Sequence, residues 1–171
     1  MKYVTFQTKW GYFGLAGKKS GALCRTILPQ SKSDNIKAFF LKEYPDIQFD
    51  SNFLKSLQIQ IIDYFEGKKV DFNTNISVYL DDFSEFSRNI LQSCRTIQYG
   101  HILSYADLAL KAKHPNSGRA AGNVLAKNPI PLIIPCHRVI KSDGKIGGFS
   151  ALGGKNLKKR LLIHENHNFQ H

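Results

Sequence analysis

The sequence predicts an α+β protein in two units: a small N-terminal domain of antiparallel sheet and helices over residues 1–81, and a mostly helical C-terminal domain over 82–171. Three observations predict it. Short strand-like runs broken by glycines fill the first thirty residues. From Asp34 onward, apolar residues recur at helical spacing. The charge is also split. Residues 1–81 carry eleven Lys/Arg against eight Asp/Glu, while 82–171 carry thirteen against five together with all six histidines, within a total of +11.

Composition excludes several classes. An apolar share of 42% suits a globular chain, and 171 residues can bury a core. No run reaches the length of a membrane span, and Met1 to Phe6 shows no signal-peptide core, so neither membrane nor export is expected. Cys24, Cys94 and Cys136 are too few and too scattered for a disulfide scaffold, which points to a reducing compartment: the cytoplasm, or the nucleus in a eukaryote. No Cys/His group in the first unit has metal-ligand spacing, so no zinc is expected. A basic second unit suggests a polyanionic partner, with solubility as the competing explanation.

In order, Val4–Phe6, Tyr12–Leu15 and Ala22–Leu28 read as a meander punctuated by Gly11, Gly17, Gly21 and Pro29. Asp34 is placed to cap a helix ending near Tyr44, before Pro45. A second helix is expected from Asp50 to Glu66, with Phe53, Leu54, Leu57, Ile61, Tyr64 and Phe65 on one face and Gly67 as its stop. Ile76–Asp82 reads as a strand or a connection. A helix over 82–96 carries Phe83, Phe86, Ile90, Leu91 and Cys94 on one stripe, which makes Cys94 a packing residue.

Ser104 and Asp107 form a capping box. The helix it starts is broken by His114-Pro115-Asn116, and Ser117 is placed to cap another over 118–127. Two short helices across a tight turn suit a helix-turn-helix. The second is small-sided, with Ala120, Ala121, Gly122 and Ala126, and Arg119 is the one long cation on its first turn. Such a helix can approach a shallow groove closely, or can simply pack tightly on a neighbour.

Pro129 to Val139 is a short apolar run with three prolines, read as extended and stiff, that delivers Cys136 and His137 side by side. A thiol becomes a good nucleophile as thiolate, and an adjacent His is a usual means. Neighbours on a strand face opposite ways, so the chain must turn at Cys136 if both serve one pocket. Alone, the pair also fits a buried Cys beside a surface His. Lys141–Lys145 reads as a turn, and Ile146–Gly154 as a glycine loop holding Phe149 and Ser150, suited to a lid or to close backbone approach. The last helix, 155–166, sets Leu157, Leu161 and Glu165 four apart. An inward Glu needs a partner, and His137 is the candidate; a solvated Glu on a frayed end is the alternative.

Pro135-Cys136-His137-Arg138-Val139, with Tyr105, Arg119, Asn128, the glycine loop and the closing Leu161-Leu162-Ile163-His164-Glu165, resembles the O6-alkylguanine-DNA alkyltransferases across the whole second unit. The first unit is similar mainly in size and αβ character. Three segments depart from the family pattern: Gln98-Tyr99-Gly100-His101, where a Pro and a Glu often flank Tyr-Gly; Ala126, where a basic residue is common; and the stretch between Cys136 and Glu165, slightly longer than in some members.

The resemblance implies a supporting N-terminal domain and a C-terminal domain with a winged-helix-like helix-turn-helix that holds DNA and the active site. It implies a monomer without metal or organic cofactor that acts on double-stranded DNA containing O6-alkylguanine through the minor groove, with O4-methylthymine as a second candidate substrate. Cys136 takes the alkyl group in one displacement and keeps it. His137 accepts the thiol proton through a water, Glu165 orients His137, Tyr105 donates to the base, and Asn128 ties the small-sided helix to the active-site segment. Val139 and Ser150 present backbone groups to the guanine edge. Ser104, Arg119, Ala120, Gly122 and Lys127 contact DNA, and Arg119 fills the gap left by a flipped nucleotide. Two rivals stand beside this reading: a binding module with an inert Cys136, and a Cys-His-Glu hydrolase that turns over.

Overall fold

The computed structural model describes residues 1–72 and 76–166. It divides into two compact units, Met1–Tyr79 and Leu80–His171.

In the first unit, β1 (Lys2–Thr8), β2 (Gly11–Gly17), β3 (Leu23–Gln30) and the short β4 (Gln48–Phe49) form a sheet in the order β3-β2-β1-β4. β1 and β2 are an antiparallel hairpin closing at Thr8↔Gly11, and β4 runs parallel to β1. Gly11 has φ +125°, and a Cβ there would meet the Gln30 carbonyl oxygen at 2.5 Å, so only glycine fits. Pro29 lies inside β3 rather than ending it. β3 is an edge strand, where a missing N–H is tolerated.

Helix α1 (Ser33–Glu43) buries Ile36 and Phe40 over the sheet. Asp34 is not its cap: Lys32 holds that position without a side-chain bond, and Asp34 sits in the first turn, where an anion favours the helix dipole. Helix α2 (Lys55–Phe65) begins five residues later than its periodicity suggests. The side chain of Asp50 instead accepts from Asn52 N at 2.9 Å and from Lys2 Nζ at 2.7 Å, and Leu54 adopts φ +53°. Phe53 is buried just ahead of the helix, while Leu57, Ile61, Tyr64 and Phe65 form its buried face. Ile76–Asp82 is a connection that bridges Leu23 at Val78 alone.

The second unit opens with α3 (Glu85–Arg95), which starts where Ser84 Oγ accepts from Ser87 N and buries Ile90, Leu91 and Cys94. β5 (Leu103–Ser104) pairs in parallel with β6 (Val139–Ile140). Helix α4 (Tyr105–Lys111) is capped by Ser104, whose Oγ accepts from Asp107 N at 3.0 Å and donates to its carboxylate at 2.7 Å. Lys113 and Asn116, at φ +64° and +63°, turn the chain into α5 (Gly118–Leu125). Ser117 is the residue before α5, but its hydroxyl donates to the Pro115 carbonyl rather than capping the helix.

The Pro-rich run is not extended. Ile134 N donates to Ile130 O at 2.9 Å across a turn in which Leu132 takes φ +78°. Folding back lets Ile130, Leu132, Ile133 and Ile134 all reach the core, with exposures of 1% or less. That removes apolar area from water which a straight two-faced strand would leave half exposed. A 3-10 turn (Cys136–Arg138) follows, then β6 and the glycine loop, and α6 (Gly154–His164) closes the unit. Among the described residues, no helix is long and apolar enough to cross a membrane.

Candidate active site

The 3-10 turn at Cys136–Arg138 does what an extended strand cannot: it sends successive side chains to different tasks. Cys136 forms part of the wall of a cavity of about 680 Å³, alongside Tyr105, Arg119, Gly122, Gly147 and Ser150. His137 and Arg138 turn into the protein and are 0% and 2% exposed.

Asn128 secures the thiol segment. Its Nδ2 donates to the Ile134 carbonyl at 2.8 Å and to Cys136 Sγ at 3.2 Å, while its Oδ1 accepts from Ile130 N at 3.0 Å. Asn128 N donates to Leu125 O at 3.2 Å, so one residue joins the end of α5 to the cysteine turn.

His137 Nε2 lies 2.8 Å from Glu165 Oε1, a fully buried pair. A carboxylate only accepts, so Nε2 carries the proton and Nδ1 offers a lone pair. Nδ1 is buried with no hydrogen-bond partner among the described residues. Glu165 is the C-cap of α6 rather than a residue within it, and is 1% exposed. Burial pushes its carboxyl up, but hydrogen bonds and charge from His137 and Arg138 outweigh this and hold it well below the usual range.

Burial pushes the Cys136 thiol up, against the Asn128 hydrogen bond, the Lys158 charge and the backbone N–H groups of the turn. Burial likewise pulls His137 down, against Glu165.

Lys158 was not legible as a site residue, yet it is 0% exposed. Its Nζ donates to the Val139 carbonyl at 2.6 Å, the Gly148 carbonyl at 3.3 Å and the Tyr105 hydroxyl at 3.3 Å. Burial lowers it to about 8, despite the nearby sulfurs of Cys136 and Cys94. The signal was its spacing: Lys158, Leu161 and Leu162 make the buried stripe of α6, which the C-cap Glu165 continues, with Leu157 only half-buried. Gly147 marks the close approach of the loop, since a Cβ there would meet Tyr105 Oη at 2.4 Å.

The structure brings Cys136, Tyr105, Arg119, Gly122 and Ser150 to one cavity, with Asn128, His137 and Glu165 linked behind it. Ser104, Ala120, Lys127 and Val139 do not line it. Ser104 is occupied as a helix cap, and Ala120 and Lys127 are exposed on and just after α5. Val139 is buried in β6 with its carbonyl taken by Lys158. Among the described residues, no group of three or more His, Cys, Asp or Glu is placed to hold a metal ion.

The α+β fold and this site define a class: proteins built around one cysteine whose neighbouring histidine is oriented by a buried acid. Residues 85–167 match the family model described as 6-O-methylguanine DNA methyltransferase, DNA binding domain. The methylated-DNA–protein-cysteine methyltransferase of Methanothermobacter thermautotrophicus is 37% identical over 133 residues, 75% of this chain and 73% of that protein. Its namesake from Archaeoglobus fulgidus is 35% identical over 164 residues, 92% of this chain and 95% of that one. Among solved structures, Mycobacterium tuberculosis OGT in complex with DNA superposes with a TM-score of 0.78 at 28% identity, covering 96% of this chain and 92% of that one. The chain belongs to the O6-methylguanine-DNA methyltransferase family.

Proposed function

We propose that this protein repairs DNA by moving the alkyl group of O6-methylguanine onto its own Cys136, once per molecule. The observation that carries the reading is that Cys136 faces the cavity while its neighbour His137 reaches Glu165 at 2.8 Å.

In the reaction, the Cys136 sulfur attacks the methyl carbon as its bond to guanine O6 breaks. The thiol proton passes through a bridging water to His137 Nδ1, which is buried and free of other partners among the described residues. Glu165 holds the imidazole by Nε2 and favours its cationic form while the thiolate exists. As negative charge spreads into guanine, the Tyr105 hydroxyl donates to the ring, and the amine of Lys158 donates to that hydroxyl. The product is a thioether, which no water in this site can hydrolyse, so the sulfur is spent. A displacement at carbon needs no metal or organic cofactor.

An O6 atom inside a duplex is out of reach, so the nucleotide is flipped out. Helices α4 and α5 act as a helix-turn-helix against the minor groove. Ala120 and Gly122 allow close approach, Arg119 fills the vacated stack, and Ser104 and Lys127 contact the backbone. The cavity then holds the base, with Ser150 at its edge; O4-methylthymine is a second candidate occupant. The unit Leu80–His171 carries the DNA contacts and the chemistry, and Met1–Tyr79 supports it. The protein acts as a monomer.

The test is on the DNA. A duplex whose restriction site is blocked by O6-methylguanine should become cleavable after incubation with the protein, and stay blocked with Cys136→Ser. Restoration by Cys136→Ser would overturn the assignment.

A further inference from the structure

Helix α5 carries one polar side chain for which the proposed chemistry has no task. Asn123 stands exposed among the small residues of that helix, and its amide makes no hydrogen bond among the described residues. What α5 buries fixes its register. Ala121 and Leu125 are 0% and 5% exposed and face the core. Gly122 turns toward Tyr105, whose ring a Cβ there would meet at 3.6 Å. Successive residues advance by about 100° around a helix, so Asn123 lies about 160° from both Ala121 and Leu125, and only about 40° from Arg119. It shares the outward face with Arg119 and Ala120, and with Ala126 and Lys127 just after the helix, all of them exposed.

The same register places that face beside the cavity. Arg119, Gly122 and Ala126 form part of the cavity wall, and Asn123 does not. The amide therefore stands outside the cavity, one turn beyond the arginine at its rim.

We infer that Asn123 reads the minor-groove edge of a base pair close to the flipped guanine, and that it favours G·C there over A·T. The inference rests on the minor-groove part of the reading above, and not on the transfer to Cys136. Asn123 follows Arg119 by four residues, about 6 Å along the helix axis. That spans about two base-pair steps of about 3.4 Å, so the pair it meets lies within two steps of the lesion.

Hydrogen-bonding capacity sets the preference. In the minor groove an A·T pair presents acceptors only, whereas a G·C pair adds the guanine N2 amine as a donor. Arg119 and Lys127 only donate, so either pair satisfies them, and the alanines of this face do neither. The Asn123 amide does both. Its Nδ2 can donate to guanine N3 while its Oδ1 accepts from the N2 amine. Against A·T the Oδ1 meets no donor and is taken out of water without a partner. The side chain is short, with one methylene between backbone and amide, so it reaches a base edge only where the backbone comes close. Ala120 and Ala126 on the same face permit that approach.

Inosine isolates the interaction, because it differs from guanine only in lacking the N2 amine. Fluorescence anisotropy at one salt concentration would compare the intact protein on O6-methylguanine duplexes in which each of the two pairs on either side of the lesion is G·C or I·C, in both orientations. Wild type should bind about 3- to 10-fold more tightly with the amine present at one of these positions. In Asn123→Ala, an exposed helix position where alanine is favourable, that difference should vanish. Asn123→Asp keeps the acceptor and loses the donor, so it should bind every duplex more weakly yet still prefer the amine. A wild type indifferent to the amine at all four positions overturns the inference and leaves Asn123 a solvated surface residue. So does an equal amine preference in Asn123→Ala, which would belong to groove shape. Methyl transfer is read separately by mass. A protein that binds these duplexes and transfers nothing fails the alkyl-acceptor reading, and the affinity comparison still decides this one. A protein that binds none of them overturns both.

Discussion

Asn128→Ala is the substitution that tests most sharply how the cysteine is held. It deletes an amide that bonds Ile134 O, Cys136 Sγ and Ile130 N. Ile130 is 0% exposed, so its N–H loses its side-chain partner where water does not readily replace it, while the equally buried Ile134 carbonyl keeps the bond from Cys136 N at 2.8 Å. Leaving that donor unpaired costs about 1–3 kcal/mol, and the lost bond to the Ile134 carbonyl adds about 0.5–1.5 kcal/mol. Against a typical total of about 5–15 kcal/mol, that is a large fraction. At about 2–4 °C per kcal/mol for a chain of this size, the melting temperature should fall by on the order of 10 °C, measured by calorimetry. The thiol should respond as well. The Asn128 hydrogen bond lowers the Cys136 pKa, so its removal should move the pH profile of Cys136 alkylation by iodoacetamide upward. Asn128→Asp keeps the acceptor for Ile130 N and loses the donor to sulfur, so it should raise the thiol further for less loss of stability. A melting temperature within about 1 °C of wild type, together with an unmoved thiol profile, would refute the reasoning.

Three further outcomes are expected. Glu165 has a depressed pKa in the folded state, so its contribution is present above the unfolded value of about 4.3 and is lost as pH falls below it. Urea midpoints should show Glu165→Gln about 3–5 kcal/mol less stable at neutral pH, with a gap that narrows in acid. Arg119→Ala, an exposed change at the cavity rim, should leave the unfolding free energy within about 0.5 kcal/mol of wild type. In fluorescence anisotropy it should weaken DNA binding, whereas Lys127→Ala, at a backbone contact, should reduce the slope of log affinity against log salt by about 1. Gly147→Ala sets a methyl 2.4 Å from Tyr105 Oη, so the phenol must move by about 1 Å. Single-turnover rates should fall by up to about 100-fold, with bulky O6 groups losing more than methyl.

Where local chemistry decides structure, the sequence was readable. Ser104 caps α4 as expected, with the Asp107 carboxylate bonded to its hydroxyl, and Cys94 packs within the buried face of α3. Glu165 and His137 meet, as the apolar spacing of the last helix suggested. What the sequence concealed was tertiary competition. Asp50 fits a helix start, but its carboxylate is taken by Lys2 and Asn52. Three prolines suggest an extended run, but core burial folds it back at Leu132. Arg138 and Lys158 look like surface charges in a basic half. Only the fold reveals that one clamps Glu165 and the other ties Tyr105 to β6 and the glycine loop. A charge on a buried stripe is a signal that pattern reading can use, and Lys158 was on that stripe.

Intact-mass measurement of the protein during titration with O6-methylguanine duplex addresses the central claim most directly. The account predicts a gain of one methyl group per chain, complete at one equivalent of DNA, never exceeding one, and carried by the peptide that contains Cys136. An unchanged mass, a methyl group on any other residue, or continued conversion of DNA by an unmodified chain would contradict it.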